Sequence, residues 1–184
     1  MVETAWLCAQ TDDADATRAL AGRFSVCIDH GDVLVLTGDL GAGKTCFTQG
    51  LGAGLGVEGR ITSPTFTLVS GYQGRLPLHH LDVYRLDDLG QTLDLDLPEL
   101  LEEGVTVIEW GERIEAVLPA DRATIELRFA PVTSQPCPPP DGAAEPDGDA
   151  NEDHRQLRIE LAGPSWMARR DQLAAALQPW IVPC

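Results

Sequence analysis

Residues 38–45, Gly38-Asp39-Leu40-Gly41-Ala42-Gly43-Lys44-Thr45, satisfy G-x-x-x-x-G-K-[ST] at every fixed position. Chemistry follows from the residue types. Glycines let the backbone take positive φ and approach an anion without a Cβ in the way. Successive amides can then point inward at phosphate oxygens, and a helix starting at Lys44 presents its positive end to them. The Lys44 ammonium suits the β- and γ-phosphates of a nucleoside triphosphate, and the Thr45 hydroxyl suits Mg2+. A glycine-rich turn can carry such a pattern by chance. Here an uninterrupted apolar stretch, Asp32-Val-Leu-Val-Leu-Thr37, precedes it and a helical pattern follows, which is the context a phosphate loop requires.

Further along lie three segments with matching chemistry. Ser63-Pro64-Thr65-Phe66-Thr67-Leu68-Val69 offers a threonine, Thr65, that could bring a second hydroxyl to the metal, as switch loops of nucleotide hydrolases do. His80-Leu81-Asp82-Val83-Tyr84-Arg85-Leu86 carries Asp82 at the end of an apolar stretch, and Val105-Thr106-Val107-Ile108-Glu109-Trp110 carries Glu109 in the same way. An acid at a strand's C-terminal end can hold Mg2+, usually through water, or orient the water that attacks the γ-phosphorus. Either Asp82 or Glu109 suits that second task.

Elements that must position these residues are legible in the spacing. Asp13 to Phe24 is amphipathic, with Ala16, Leu20 and Phe24 recurring and Thr11 or Asp12 placed to cap it. The buried strand before the phosphate loop, a helix from Lys44 to about Leu55, and strands over 66–72 and 76–81 follow. A helix beginning near Asp96 and covering Glu99 to Glu103 leads into the strand 105–108. Strands over Thr124–Phe129 and Leu157–Leu161 and a closing helix over Arg169–Leu177 complete the order. The fold class expected is α/β: a three-layer P-loop sandwich with a mixed, mainly parallel central sheet and a C-terminal antiparallel portion. One domain over 1–184 suits the length.

Residues 131–153 interrupt the last two strands with six acids, six prolines and no base, a composition expected to form an extended, disordered insertion. No apolar run approaches the roughly 18 residues of a membrane span, and the start MVETAWLCAQTDD lacks the features of a secretory leader. The five cysteines, Cys8, Cys27, Cys46, Cys137 and Cys184, are scattered and odd in number, so free thiols in a reducing, cytoplasmic setting are expected. With 13 basic and 29 acidic residues the net charge is −16, which excludes a broad basic face for nucleic acid.

Taken together, GDLGAGKT, SPTFTLV, HLDVYRL and VIEW resemble the bacterial TsaE family (formerly YjeE), the small ATPase of tRNA threonylcarbamoyladenosine biosynthesis. The resemblance runs from about Thr17 to Leu161 and includes a Thr17-x-x-Leu20 start. It implies that Asp39, Leu40, Gly41, Ala42, Gly43, Lys44 and Thr45 cradle the phosphates of ATP. Thr45, Thr65, Asp82 and Glu109 would serve Mg2+, and Lys44, Asp82 and Glu109 would serve catalysis. Trp110 would lie near the nucleotide and Thr17 near the adenine. It also implies TsaB and TsaD as partners, with tRNA reached through them and the transfer chemistry done by TsaD. Cys46 departs from the family, which often has a second threonine there. Two other classes stay open: a small-molecule kinase, disfavoured by the lack of a basic lid, and a nucleotide-gated binding module. A guanine-reading N-K-x-D motif is missing from the sequence.

Overall fold

The computed structural model describes residues 3–85, 97–130 and 154–184. The expected insertion at 131–153, with Cys137, lies outside the described residues, as do Leu86 and Asp96. A single eight-stranded sheet runs through the described chain in the order β3-β4-β5-β2-β6-β7-β1-β8. Its strands are β1 (Thr4–Thr11), β2 (Val33–Thr37), β3 (Val69–Tyr72), β4 (Leu78–Asp82), β5 (Val105–Glu109), β6 (Arg122–Phe129), β7 (Arg155–Ala162) and β8 (Ile181–Val182). Strands β4, β5, β2 and β6 pair in parallel; β3 and the β6-β7-β1-β8 portion are antiparallel. This is the mixed α/β sheet expected; its antiparallel portion takes in the N-terminal β1 between the C-terminal strands β7 and β8, and β3 adds an antiparallel edge.

Alternation along the central strand explains the layering. In β2, Leu34 and Leu36 face a core shared with Leu20, Phe24, Phe47, Leu51, Trp166 and Leu173, which belong to helices α1 (Ala14–Phe24), α2 (Lys44–Gly54) and α4 (Pro164–Leu177). Val33 and Val35 face a smaller core with Leu81, Val83, Ile108 and Ile114, closed by α3 (Leu97–Glu103) and the 3-10 segment Gly111–Val117. Both faces of the parallel strands are therefore covered, as their unbroken apolar sequences require. At Gly50 a Cβ would collide with the Arg18 backbone, so this glycine lets α1 and α2 pack at contact distance. On the antiparallel portion one face lies open, and there the Arg158 guanidinium sits 4.0 Å from the Trp6 ring centroid.

Several boundaries differ from expectation. The cap of α1 is Asp13, whose carboxylate accepts from the Ala16 amide at 2.6 Å, rather than Thr11 or Asp12. Residues 65–67 form a turn ahead of β3, and α4 begins at Pro164, well before Arg169. Strands β1 and β8 carry no strong local signal: both are held by partners distant in sequence, β7 and β1 respectively. That pairing corrects the reading of five free thiols. Cys8 on β1 and Cys184 after β8 form a disulfide with Cα atoms 5.1 Å apart, while Cys27 and Cys46 are free. A bridge across 176 residues leaves no trace in local cysteine spacing.

Candidate functional site

Parallel strands ending side by side create the cleft. Strand β2 ends at Thr37 and passes into Gly38, while register places Leu36 beside Glu109 and Glu109 beside Asp82. Gly38 has φ +120°, and a Cβ there would collide with the Leu127 carbonyl of β6, so neither the turn nor the close approach tolerates another residue. Gly43, at φ +108°, is the N-cap from which α2 starts, and it turns the chain so that Lys44 and Thr45 open the helix. The resulting cleft has a volume of about 410 Å³ and is lined by Leu40, Gly41, Gly43, Lys44, Thr45 and Cys46 on one side. Ser63, Thr65, Asp82, Tyr84, Arg85, Glu109 and Trp110 line the other.

Within it, Lys44 is only 4% exposed. Its ammonium donates to the Gly38 carbonyl at 2.7 Å and the Asp39 carbonyl at 2.8 Å, and it sits 3.5 Å from the Trp110 ring centroid. Burial holds its pKa below the ordinary lysine value, opposed by the charges of Glu109, Glu112, Asp82 and Asp39. Trp110 reaches that ammonium because its backbone is left-handed at φ 63°, a conformation costing a non-glycine residue on the order of 1 kcal/mol. The Trp110 amide donates to the Leu36 carbonyl at 2.8 Å, which pins this turn to β2. Tyr84 packs on the indole with ring centroids 4.9 Å apart.

Two carboxylates converge beside Thr45. Glu109 and Asp82 are each 3% exposed. The Thr45 hydroxyl donates to Glu109 at 2.9 Å from Oε1, with Oε2 at 3.2 Å. Asp82 Oδ2 accepts from both the Ser63 and the Thr65 hydroxyls at 2.7 Å, and these two hydroxyls are themselves 2.7 Å apart. Asp82 Oδ1 accepts from the Tyr84 amide at 3.1 Å. Leu68, left-handed at φ 64°, closes the turn that delivers Ser63 and Thr65: its amide donates to Pro64 and its carbonyl accepts from the Asp82 amide.

Of the residues expected at the site, Leu40, Gly41, Gly43, Lys44, Thr45, Thr65, Asp82, Glu109 and Trp110 come together on the cleft wall. Asp39 contributes its carbonyl to Lys44, and Ala42 is buried behind the loop, its carbonyl accepting from Arg155 Nε at 3.1 Å. Thr17 stands apart from the cleft lining, buried and bonded to the Thr11 hydroxyl at 2.8 Å and the Asp13 carbonyl at 3.0 Å. Arg85 lies on the cleft rim with its guanidinium 4.5 Å from the Phe66 ring centroid.

Three residues escaped the sequence reading. Ser63 binds Asp82, Tyr84 stacks on Trp110, and His80 Nε2 lies 2.8 Å from Glu109 Oε1. For His80 a signal was present: strand alternation puts it on the face of β4 that also carries Asp82. Among the described residues, no three His, Cys, Asp or Glu side chains form a group able to hold a metal ion without other donors. Among them too, no helix is long and apolar enough to cross a membrane.

Known proteins share this chain's sequence and fold. Residues 11–135 match the family described as threonylcarbamoyl adenosine biosynthesis protein TsaE. A "tRNA threonylcarbamoyladenosine biosynthesis protein TsaE" from Treponema pallidum is 53% identical over 102 residues, 55% of this chain and 76% of that protein. Its namesake from Bacillus subtilis is 44% identical over 123 residues, 66% of this chain and 77% of that protein. The crystal structure of Bacillus subtilis YdiB superposes with a TM-score of 0.70 at 32% identity, covering 95% of this chain and 97% of that one. With the family motifs seated on the strand ends and helix start that give them their geometry, this chain belongs to the TsaE family.

Proposed function

We propose that this chain is a cytoplasmic, Mg2+-dependent ATPase that supports turnover of a TsaB–TsaD transferase modifying tRNA adenosine. The observation carrying this reading is the hydrogen bond from Thr45 at the start of α2 to Glu109 at the end of β5, beside Asp82. Thr45, Thr65, Asp82 and Glu109 offer hydroxyl and carboxylate oxygens, the donor type that suits Mg2+. Because the described residues bring no three His, Cys, Asp or Glu side chains together, ATP phosphate oxygens would complete the coordination, as is usual for this ion. When bound, the ion would supply charge stabilisation to the phosphates.

The remaining work belongs to the chain. Amides of Gly41 to Thr45 would bind the phosphates, and Lys44 would exchange its carbonyl partners for charged phosphate oxygens, the stronger acceptors. Glu109 or Asp82, each held by hydroxyls, would orient the attacking water. Arg85 stacks on Phe66 and would need to leave that ring to reach a phosphate, so the isolated chain is expected to be slow.

The test is phosphate release from ATP and Mg2+ by the purified chain, with and without TsaB, TsaD and tRNA. Release that rises at least tenfold in the full mixture supports the reading. Release indifferent to the partners removes the tRNA-modification role while keeping the ATPase.

A further inference from the structure

We propose that His80 is a positioning residue that fixes the Glu109 carboxylate by donating to it from Nε2. This inference rests on reading the cleft as a Mg2+–ATP site. His80 is 0% exposed, and its Nε2 lies 2.8 Å from Glu109 Oε1. Its other nitrogen, Nδ1, is buried with no hydrogen-bond partner. A proton on Nδ1 would be an orphaned buried donor carrying its whole desolvation penalty, so the favoured tautomer keeps the proton on Nε2. A carboxylate accepts and cannot donate, which gives the bond its direction: His80 donates and Glu109 accepts.

Position in the fold explains why this bond is available. His80 and Asp82 share one face of β4, and parallel register sets Asp82 against Glu109 and His80 against Val107. His80 thus stands one pleat behind the two acids, on the side that α2 covers. A glutamate's terminal torsion is broad and roughly two-fold, so a lone carboxylate on a strand end would turn freely. Glu109 does not, because Oε1 receives both the His80 N–H and the Thr45 hydroxyl, while Oε2 makes only the longer contact to Thr45 at 3.2 Å. Anchoring one oxygen aims the other into the cleft. Groups behind a ligating carboxylate commonly alter metal affinity by 10- to 100-fold when removed.

The experiment uses the full chain loaded with ATP, with Mn2+ as the probe ion, its binding followed by electron paramagnetic resonance alongside steady-state ATP hydrolysis. His80→Leu removes the donor at similar volume; His80→Gln carries an amide N–H to about the Nε2 position; His80→Asn carries one that is too short. We expect His80→Leu to weaken Mn2+ binding about tenfold and to lower kcat by a similar factor. ATP affinity in the presence of EDTA should stay within about twofold, and thermal unfolding establishes that each variant is folded. His80→Gln should recover most of both losses and His80→Asn should not. A folded His80→Leu with the Mn2+ affinity and kcat of wild type overturns the proposal. So does a His80→Gln no better than His80→Leu; should the Leu variant fail to fold, equal Mn2+ affinities for Gln and Asn overturn it. If wild type binds ATP without hydrolysing it, the ATPase reading fails and the Mn2+ comparison still decides the role of His80.

Discussion

Hydrogen bonds at the cleft divide its residues into two linked groups. Thr45, Glu109 and His80 form one chain of bonds; Ser63, Thr65 and Asp82 form the other. Lys44, next to Thr45, is clasped by loop carbonyls and the Trp110 indole. Trp110 offers a direct check, because its left-handed backbone and its ring make separate contributions. Trp110→Ala loses the ring and keeps a Cβ in a strained conformation; Trp110→Gly loses the ring and relieves the strain. Urea unfolding should find the Gly variant more stable than the Ala variant by about 1 kcal/mol. Both should bind ATP more weakly than wild type. An Ala variant as stable as the Gly variant would remove backbone strain from the account. Much of this chemistry was legible in the sequence because Gly38 to Thr45 is contiguous and the two acids end apolar strands. Ser63 was not, and for His80 strand alternation gave its face but not its partner, since their roles arise from contacts with side chains 19 and 29 residues away.

At the level of elements, the parallel strands carry the site and the helices fix their ends. Helix α4 is tied to the entry of β2 by Arg169, which makes a two-pronged bond to Asp32 at 2.6 and 2.7 Å and donates to the Cys27 carbonyl at 2.7 Å. The hydrogen bond to Asp32 raises the Arg169 pKa above its ordinary value, against the opposing cost of burial. A cation whose folded pKa is raised gives stability that is fully present below its unfolded pKa and lost only as pH rises past the folded one. Arg169→Met should therefore destabilise the protein by roughly 3 kcal/mol, because it leaves the mostly buried Asp32 short of its charged partner. On the alkaline side that deficit should stay constant from about pH 7 to pH 10. Thermal unfolding across that range checks it; a deficit that fades with rising pH would mean the guanidinium is not the source. Sequence periodicity found α1, α2 and the central strands because each is amphipathic or unbroken apolar by itself. It missed β1 and β8, whose pairing depends on partners from the other end of the chain.

Viewed as a whole molecule, the chain joins its two ends away from the cleft. Strand β8 pairs with β1, Cys8 bonds Cys184, and neither cysteine lines the cleft. The net charge of −16 argues against nucleic-acid binding through a broad basic face, and under the proposed function the contacts to tRNA would fall to the TsaB–TsaD pair. The proposed function depends on one claim, that the cleft from Gly38 to Trp110 binds ATP and cleaves it. The most direct test follows equilibrium ATP binding and phosphate release in the same samples, for wild type, Lys44→Ala and Glu109→Gln. Wild type should bind and hydrolyse; Lys44→Ala should lose at least tenfold in ATP affinity; Glu109→Gln should keep most of its ATP affinity while hydrolysis falls by about 100-fold. Binding and hydrolysis unchanged in both variants would contradict the account.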